Sequence, residues 1–128
     1  MRRLARTCLP LAALLLVFAM PAAAPAGDDG PSARAAARTC HLSYREQTHM
    51  GTTYVLSLRV RITTCRNGKR VVKGFHKCRP GRTGRCRKRV FGYRCRERRY
   101  NKSSISYDSK VRCAKGSRRV WHTYQQNI

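Results

Sequence analysis

Hydrophobic and polar residues alternate most clearly in the segment TYVLSLRVRITTC, residues 53–65. One set of alternate positions is apolar and comprises Tyr54, Leu56, Leu58, Val60 and Ile62. The other set is mostly polar and comprises Val55, Ser57, Arg59, Arg61 and Thr63. Because successive side chains of a strand point to opposite faces of a sheet, this pattern predicts a half-buried β-strand.

Turn signals on either side of this strand predict hairpins. CHLSYREQ, residues 40–47, is interpreted as a preceding partner strand, with the turn THMGT between the two. After the strand, Asn67-Gly68 is a typical two-residue hairpin turn, so KRVVKGFHK, residues 69–77, is predicted to return as a strand. Gly74 inside that return predicts a β-bulge or a close approach of two backbones.

The second half of the chain contains three more predicted strands, separated by polar turns. They are RKRVFGYRCRERRY (87–100), ISYDSKVRC (105–113) and RRVWHTYQQN (118–127). No stretch shows an apolar stripe of helical period. The sequence therefore predicts an all-β fold, a small, hairpin-rich and disulfide-stapled single domain.

The turn between the last two strands determines which of their residues face each other. A two-residue loop at Lys115-Gly116 is predicted, and it would set Val111 opposite Val120 and Tyr107 opposite Tyr124. Such apolar and aromatic pairs stabilise neighbouring antiparallel strands.

The N-terminal region has the pattern of a removable export signal. A basic start, a short apolar run and the small residues Ala24-Pro25-Ala26 predict a signal peptide over 1–26. The apolar run is too short for a membrane-spanning anchor, which is the alternative. Residues 27–38, GDDGPSARAAAR, are predicted to be a flexible leader, and 39–128 a disulfide-stabilised basic β domain. The protein is therefore expected to be secreted.

Six cysteines follow the predicted signal peptide, namely Cys40, Cys65, Cys78, Cys86, Cys95 and Cys113. An even number in a small exported chain predicts three disulfides, and many connectivities are open. The segments that start at Cys65 and Cys113 share the pattern C-x-x-G-x-R-x-V, by chance or because the domain consists of two related hairpin units. If they are related, the simplest bridges are Cys40–Cys65 and Cys95–Cys113, with Cys78–Cys86 closing the basic loop.

The charge is strongly one-sided, with 29 Lys and Arg, 5 Asp and Glu and a formal net charge of +24. Cations and aromatic residues are densest in the stretch 79–100. Its predicted polyanion-binding residues are Arg79, Arg82, Arg85, Arg87, Lys88, Arg89, Arg94, Arg96, Arg98, Arg99, Tyr93 and Tyr100. Cations neutralise phosphate or sulfate groups, and aromatic faces stack on bases or sugars. The alternative is a solvated charged surface without a ligand.

The residues offer little for catalysis or metal binding. No zinc-ligand spacing occurs near His76-Lys77-Cys78 or Cys40-His41, so no metal and no cofactor are predicted. No nucleophile motif is present, and paired cysteines would supply no thiolate. One enzyme class fits the residue types, a ribonuclease that would use His49, His76, His122 and Glu46 for acid–base chemistry.

These observations predict a secreted, non-enzymatic cationic domain with an Arg-rich binding surface. Its expected partners are anionic polymers: an envelope glycopolymer or other cell-surface glycan, an acidic polysaccharide or nucleic acid, with acidic lipid head groups as a further partner. No small-molecule substrate is predicted. Two alternatives are a membrane-active antimicrobial protein, which needs an exposed apolar face beside the cations, and a secreted ribonuclease.

Overall fold

The computed structural model describes residues 35–128, which form one open antiparallel sheet of five strands with two helices. Its elements are β1 (Arg38–Thr39), α1 (Tyr44–Thr48), β2 (Tyr54–Arg61), α2 (Cys65–Cys78), β3 (Arg94–Tyr100), β4 (Ser106–Lys115) and β5 (Arg118–Asn127). The strand order is β1-β2-β5-β4-β3. The mostly β, single-domain fold predicted from the sequence is confirmed.

The predicted signal peptide, 1–26, lies outside the described residues, as does the segment 27–34 of the predicted leader. The first strand, β1, begins at Arg38, next to the predicted start of the domain. Neither helix within residues 35–128 is long and apolar enough to cross a membrane.

Strand β2 is confirmed, but its two faces exchange at a bulge. The pairing with β5 shifts between Val55 and Ser57. Val55 is therefore fully buried, whereas Leu56 is 53% exposed. Beyond the bulge the predicted alternation holds, because Leu58 and Val60 are fully buried. Ile62, predicted on the same face, lies past the end of the strand and is exposed.

The predicted returning strand at 69–77 is wrong, because this segment belongs to helix α2. Thr64 is the N-cap residue, and its side chain accepts a hydrogen bond from the backbone N–H of Asn67 at 3.1 Å. Val71, Val72 and Phe75 have the i, i+1, i+4 spacing of a helix face and are buried against the sheet. The Asn67-Gly68 pair thus lies in the first turns of a helix. Gly74 is a helical residue without a bulge, and the close approach at this position is made by the side chains of Val90 and Phe91.

The predicted partner strand at 40–47 is also replaced by a helix. Ser43 accepts from the backbone N–H of Glu46, and the Glu46 carboxylate accepts from the backbone N–H of Ser43 at 3.0 Å. This reciprocal capping box starts the short helix α1. A different segment, β1, takes the place beside β2.

The three C-terminal strands are confirmed, the last with the predicted boundaries and the first two with shifted ones, but their register differs. The first of them starts at Arg94 instead of residue 87. The turn between β4 and β5 is Gly116-Ser117, one residue later than predicted, so Lys115 pairs with Arg118. The predicted cross-strand pairs are therefore wrong. The observed pairs are Val111 with His122, Cys113 with Val120, Tyr107 with Gln126 and Ser109 with Tyr124.

All three disulfides form as predicted, namely Cys40–Cys65, Cys78–Cys86 and Cys95–Cys113. The interpretation as two related hairpin units is wrong, because the two similar segments fold differently. Cys65 begins helix α2, whereas Cys113 lies inside strand β4. The shared pattern C-x-x-G-x-R-x-V therefore has no common structure.

The core lies between helix α2 and one face of the sheet, which we call the inner face. Phe75 of α2 contacts the rings of His122 and Tyr124 on β5. Leu58 and Val60 of β2 lie under Gly68 of the helix. The helix therefore covers the centre of the sheet, and side chains that alternate with these residues point to the opposite side.

Candidate polyanion-binding surface

The opposite side of the sheet, which we call the outer sheet face, carries the outward-pointing residues of β2, β3, β4 and β5. No helix of the described residues packs on it. Its cations are Arg59, Arg61, Arg94, Arg96, Arg98, Lys110, Arg112 and Arg119. These residues come from four strands that are far apart in sequence, and the sheet brings them together.

Strand register arranges these side chains in rows across the sheet. The central row contains Arg59, Trp121, Arg112 and Arg96, each paired with the next on the neighbouring strand. The adjacent row contains Ser57, Thr123, Lys110 and Arg98. Paired side chains lie about 5 Å apart, so a polymer on this face would meet several cations within a short distance.

Trp121 lies at the centre of this surface. It is partly exposed and has Arg59 on one neighbouring strand and Arg112 on the other. Among the described residues no cation stacks on its ring, although five other cation–π contacts occur. The indole therefore offers an apolar aromatic surface between positively charged side chains.

Negative charge on the outer sheet face is small in the described part of the chain. Asp108 of β4 lies near one end of the face and accepts a hydrogen bond from Asn101 at 2.9 Å. Glu97 of β3 points to the inner face. A shallow depression of about 530 Å³ runs along the surface between Arg59, Arg96 and Trp121. The cations around it have no acidic partner among the described residues and are available to an external anion.

The predicted binding stretch does not form one surface, because its residues separate into several groups. Arg94, Arg96 and Arg98 lie on the outer sheet face. Two of the predicted binding residues, Arg79 and Arg99, point inward and act as structural cations. The remaining cations are exposed in the loop before β3, namely Arg82, Arg85, Arg87, Lys88 and Arg89.

Arg79 is buried and only 6% exposed. Its guanidinium donates to the carbonyl oxygen of Gly84 at 3.1 Å, to Nδ1 of His76 at 3.0 Å and to the hydroxyl of Tyr107 at 2.5 Å. It also donates to the carbonyl oxygen of Arg82. These contacts hold the 79–86 loop against the end of the sheet, which is a structural role.

Arg99 is the partner of the buried carboxylate of Glu97. Arg99 Nε donates to Glu97 Oε1 at 2.6 Å, and the same carboxylate accepts from the hydroxyls of Tyr124 at 2.6 Å and Ser109 at 3.0 Å. Burial opposes ionisation of Glu97, but these donors outweigh it and lower the pKa of the carboxyl group. Glu97 therefore balances the positive charge of Arg99 in the protein interior.

The two predicted aromatic residues differ in accessibility. Tyr93 is 2% exposed, and its hydroxyl accepts a hydrogen bond from Asn67 Nδ2 at 3.1 Å. Tyr100 is partly buried, and Lys110 Nζ lies 5.2 Å from the centre of its ring. Of this pair only Tyr100 borders the outer sheet face.

Several residues of the surface were missed in the sequence, because they lie outside the stretch with the highest charge density. They are Arg59, Arg61, Lys110, Arg112, Arg119 and Trp121. A signal for them was present in the alternation of β2, β4 and β5, where every one of these residues falls next to buried positions. This alternation identifies the outward residues, whereas the strand order that brings them together is seen only in the structure.

The histidines considered for acid–base chemistry are not gathered at a surface. The rings of His76 and His122 lie 5.4 Å apart inside the core, and both residues are buried. His49 is exposed at the end of α1, and Glu46 pairs with Lys69 at 2.5 Å. No group of three metal-ligating side chains occurs within residues 35–128.

Burial lowers the pKa of both core histidines. Desolvation is the largest cause for each, and it lowers the pKa of His76 to about 2 and that of His122 to about 3. The nearby Arg79 guanidinium lowers both values further, whereas Glu97 acts in the opposite direction on His122. Both imidazoles are therefore neutral in the folded protein at neutral pH.

Comparison with protein-family models, with curated proteins and with solved structures found no match for this chain. The class of protein is therefore described from the fold and the surface of this chain alone. It is a small, disulfide-linked, antiparallel β domain with one sheet face covered by a helix and the other face strongly cationic.

Proposed function

We propose that this protein is a secreted, non-enzymatic domain that binds anionic polymers through its outer sheet face. The observation that carries the proposal is the central row in which Arg59, Trp121 and Arg112 are neighbours across three strands. Three disulfides agree with maturation in an oxidising compartment outside the cytoplasm.

The chemistry of binding would be charge neutralisation with release of counterions. Guanidinium groups donate paired hydrogen bonds to phosphate, sulfate or carboxylate oxygens. Along a strand, alternate residues such as Arg94, Arg96 and Arg98 are about 7 Å apart, and the neighbouring strand lies about 5 Å away. This spacing supports contact with an extended polymer at several successive anionic groups, while Trp121 would contact a base or a sugar ring.

A membrane-active role receives less support from the surface. The exposed large apolar residues belong to separate elements, for example Tyr44 in α1, Leu56 in β2 and Ile105 before β4. Insertion into a bilayer needs a continuous apolar face beside the cations. On the outer sheet face, by contrast, Trp121 is surrounded by cationic side chains.

The proposal is tested by removing charge from the outer sheet face. The surface variant changes Arg59, Arg96, Lys110 and Arg112 to Gln, and the control changes the exposed residues Arg45, Arg82, Lys102 and Arg118 to Gln. Binding is measured by fluorescence anisotropy with duplex DNA, single-stranded DNA, heparin and a teichoic-acid-type polyphosphate. We expect the surface variant to lose far more affinity than the control, because both lose equal charge and only its location differs.

Salt dependence provides a second measure in the same titrations. With roughly six phosphate contacts, affinity for duplex DNA should fall about a thousandfold between roughly 50 and 200 mM salt. Losing four contacts should reduce the slope of log affinity for duplex DNA against log salt by about 3.6. Equal losses in the two variants would show that binding follows bulk charge, and no binding of any polymer at physiological salt would reject the proposal.

A further inference from the structure

We propose that the protein has a second polyanion-binding surface on helix α2 and thereby links two anionic polymer chains. This inference rests on the proposed function of the outer sheet face. We call the second area the helix surface. It comprises Arg66, Lys69, Arg70, Lys73, Lys77 and Phe91, and it is bordered by Glu46, whose carboxylate is paired with Lys69.

The helix surface and the outer sheet face point in opposite directions. One side of α2 packs on the inner face through Val71, Val72 and Phe75. Exposed Arg70 and Lys73 lie on the side of α2 that faces away from the sheet. Because a helix is about 10 Å thick, a locally straight polymer on one surface does not reach the other. A molecule bound through one surface therefore keeps the other one free.

Most of the exposed charges of α2 are unfavourable for the helix itself. The first turn contains no acidic residue, and Arg66 lies there close to the positive end of the helix dipole. Arg66 with Arg70 and Lys73 with Lys77 are like-charge pairs at i, i+4, which destabilise a helix. Lys69 is compensated by Glu46, at 2.5 Å. Lys77 lies in the last turn, where the helix dipole favours a cation, but helix stability gives no reason for Arg66, Arg70 and Lys73, whereas an anionic ligand would.

An exposed aromatic residue lies among these cations, as on the outer sheet face. Phe91 is 48% exposed and has a positive φ of 50°, which is unusual for a large side chain. The Arg70 guanidinium lies 4.4 Å from the centre of its ring. Phe91, Arg66, Arg70 and Lys73 line one depression beside α2. This combination of cations and an apolar ring is independent of the helix charge pattern and fits a polymer that has sugar rings or bases.

The two-surface arrangement predicts bridging, which is measured with two separate DNA probes. One biotinylated duplex is immobilised, the protein is bound to it and washed, and a fluorescent duplex of unrelated sequence is added. We expect the unmodified protein to capture the second duplex. A helix variant, with Arg66, Arg70, Lys73 and Lys77 changed to Gln, should still bind the first duplex but capture about tenfold less of the second.

Variants that lose the same number of charges show whether bridging depends on the position of the cations or on net charge. The outer-sheet variant described above should also bind one duplex without capturing another, whereas the four-charge control should bridge like the unmodified protein. Circular dichroism confirms folding of each variant, and sedimentation of the free protein shows whether it is a monomer. If the protein sediments as a dimer and the helix variant captures the second duplex as well as the unmodified protein does, the inference is overturned.

The two proposals fail in different ways. If the unmodified protein binds the immobilised duplex but captures no second one, the helix surface is not a binding site and the outer sheet face is unaffected. If the helix variant and the control lose equal capture, the inference is likewise overturned. If the unmodified protein binds neither duplex DNA nor heparin at physiological salt, the proposed function itself fails.

Discussion

At the scale of single residues, the buried polar groups differ in how well they are compensated. The carboxylate of Glu97 accepts hydrogen bonds from Arg99, Tyr124 and Ser109, so its desolvation is offset. Arg79 is similarly satisfied by carbonyl and hydroxyl oxygens. His122 is different, because neither ring nitrogen has a hydrogen-bond partner within the described residues. The molecule therefore retains a neutral imidazole at a cost to stability.

This arrangement predicts loss of stability in mild acid. The folded state keeps His76 and His122 neutral, with pKa values of about 2 and about 3, whereas the unfolded chain protonates near 6.5. Since the unfolded state then binds more protons, stability is fully present above pH 6.5 and declines as the pH falls below it. We expect a loss of up to about 1.4 kcal/mol per pH unit for each histidine, measured by urea unfolding from pH 7.5 to 5.

The variant His122→Leu provides the comparison. It removes one titrating group and two unpartnered nitrogens, so it should flatten the pH dependence without a large loss at pH 7.5. The pKa of the Glu97 carboxyl is also lowered in the folded protein, but this affects stability mainly below the pH range of the measurement. An unchanged slope in His122→Leu would contradict a neutral, buried His122.

At the scale of secondary structure elements, α2 shows why part of the fold could not be predicted. Asn-Gly is a strong hairpin signal when only neighbouring residues are considered. Here Thr64 caps a helix, and Gly68 is required because the helix backbone approaches β2 closely. Val71, Val72 and Phe75 have the spacing of a helix face, but three apolar residues are too few to outweigh the Asn-Gly signal. Tertiary contact with Leu58 and Val60 decides between the two.

The close approach of α2 to β2 predicts that Gly68→Ala destabilises the protein, which is the opposite of the usual effect in a helix. In an exposed helix, Gly→Ala stabilises by about 1 kcal/mol. At Gly68 a new Cβ atom would lie 2.6 Å from Val60 Cγ1, so Val60 or the helix must move. We expect Gly68→Ala to lower the free energy of unfolding by about 1–2 kcal/mol, measured in urea. In a Val60→Ala background, which provides space, the same change should become stabilising. Stabilisation in the unmodified background would show that the helix does not approach β2 this closely.

The strands were more predictable than their pairing. Alternation in β2, β4 and β5 follows directly from one buried and one open sheet face. Register depends on the turn, and Gly116 has a positive φ of 53° that places the turn at Gly116-Ser117. The position of the bulge at Leu56 also depends on the partner strand. The turn has a signal in the sequence, because Gly-Ser is a typical two-residue hairpin loop, whereas the bulge has none.

At the scale of the whole molecule, the site was only partly predictable because strand order assembles it. The sequence showed a dense basic stretch, and Arg94, Arg96 and Arg98 of that stretch lie on the outer sheet face. Arg59 of β2 joins them because β5 and β4 lie between β2 and β3 in the sheet. Arg79 and Arg99 leave the surface because their guanidinium groups satisfy interior acceptors. Charge density along the chain is therefore a poor guide to charge density on the surface.

The same assembly places like charges directly opposite each other. In the β3–β4 hairpin, Arg96 pairs with Arg112 and Arg98 pairs with Lys110, and such like-charge pairs are destabilising. The Cys95–Cys113 disulfide joins the same two strands next to these pairs. A bridge of this kind typically contributes about 2–4 kcal/mol, mainly by restricting the unfolded chain. The disulfide therefore offsets the repulsion between these like-charge pairs.

Removing this bridge should make stability depend visibly on salt. We expect Cys95→Ala/Cys113→Ala to lose about 2–4 kcal/mol of unfolding free energy at low ionic strength. Sodium chloride should restore part of it, since the screening length falls from about 10 Å at about 0.1 M to about 3 Å at about 1 M. Urea unfolding is the measurement, because guanidinium would itself screen the charges. Adding the outer-sheet variant, with Arg59, Arg96, Lys110 and Arg112 changed to Gln, should stabilise the bridge-free protein at low salt and reduce its response to sodium chloride. An equal salt response with and without these four cations would mean that their repulsion is not what the disulfide opposes.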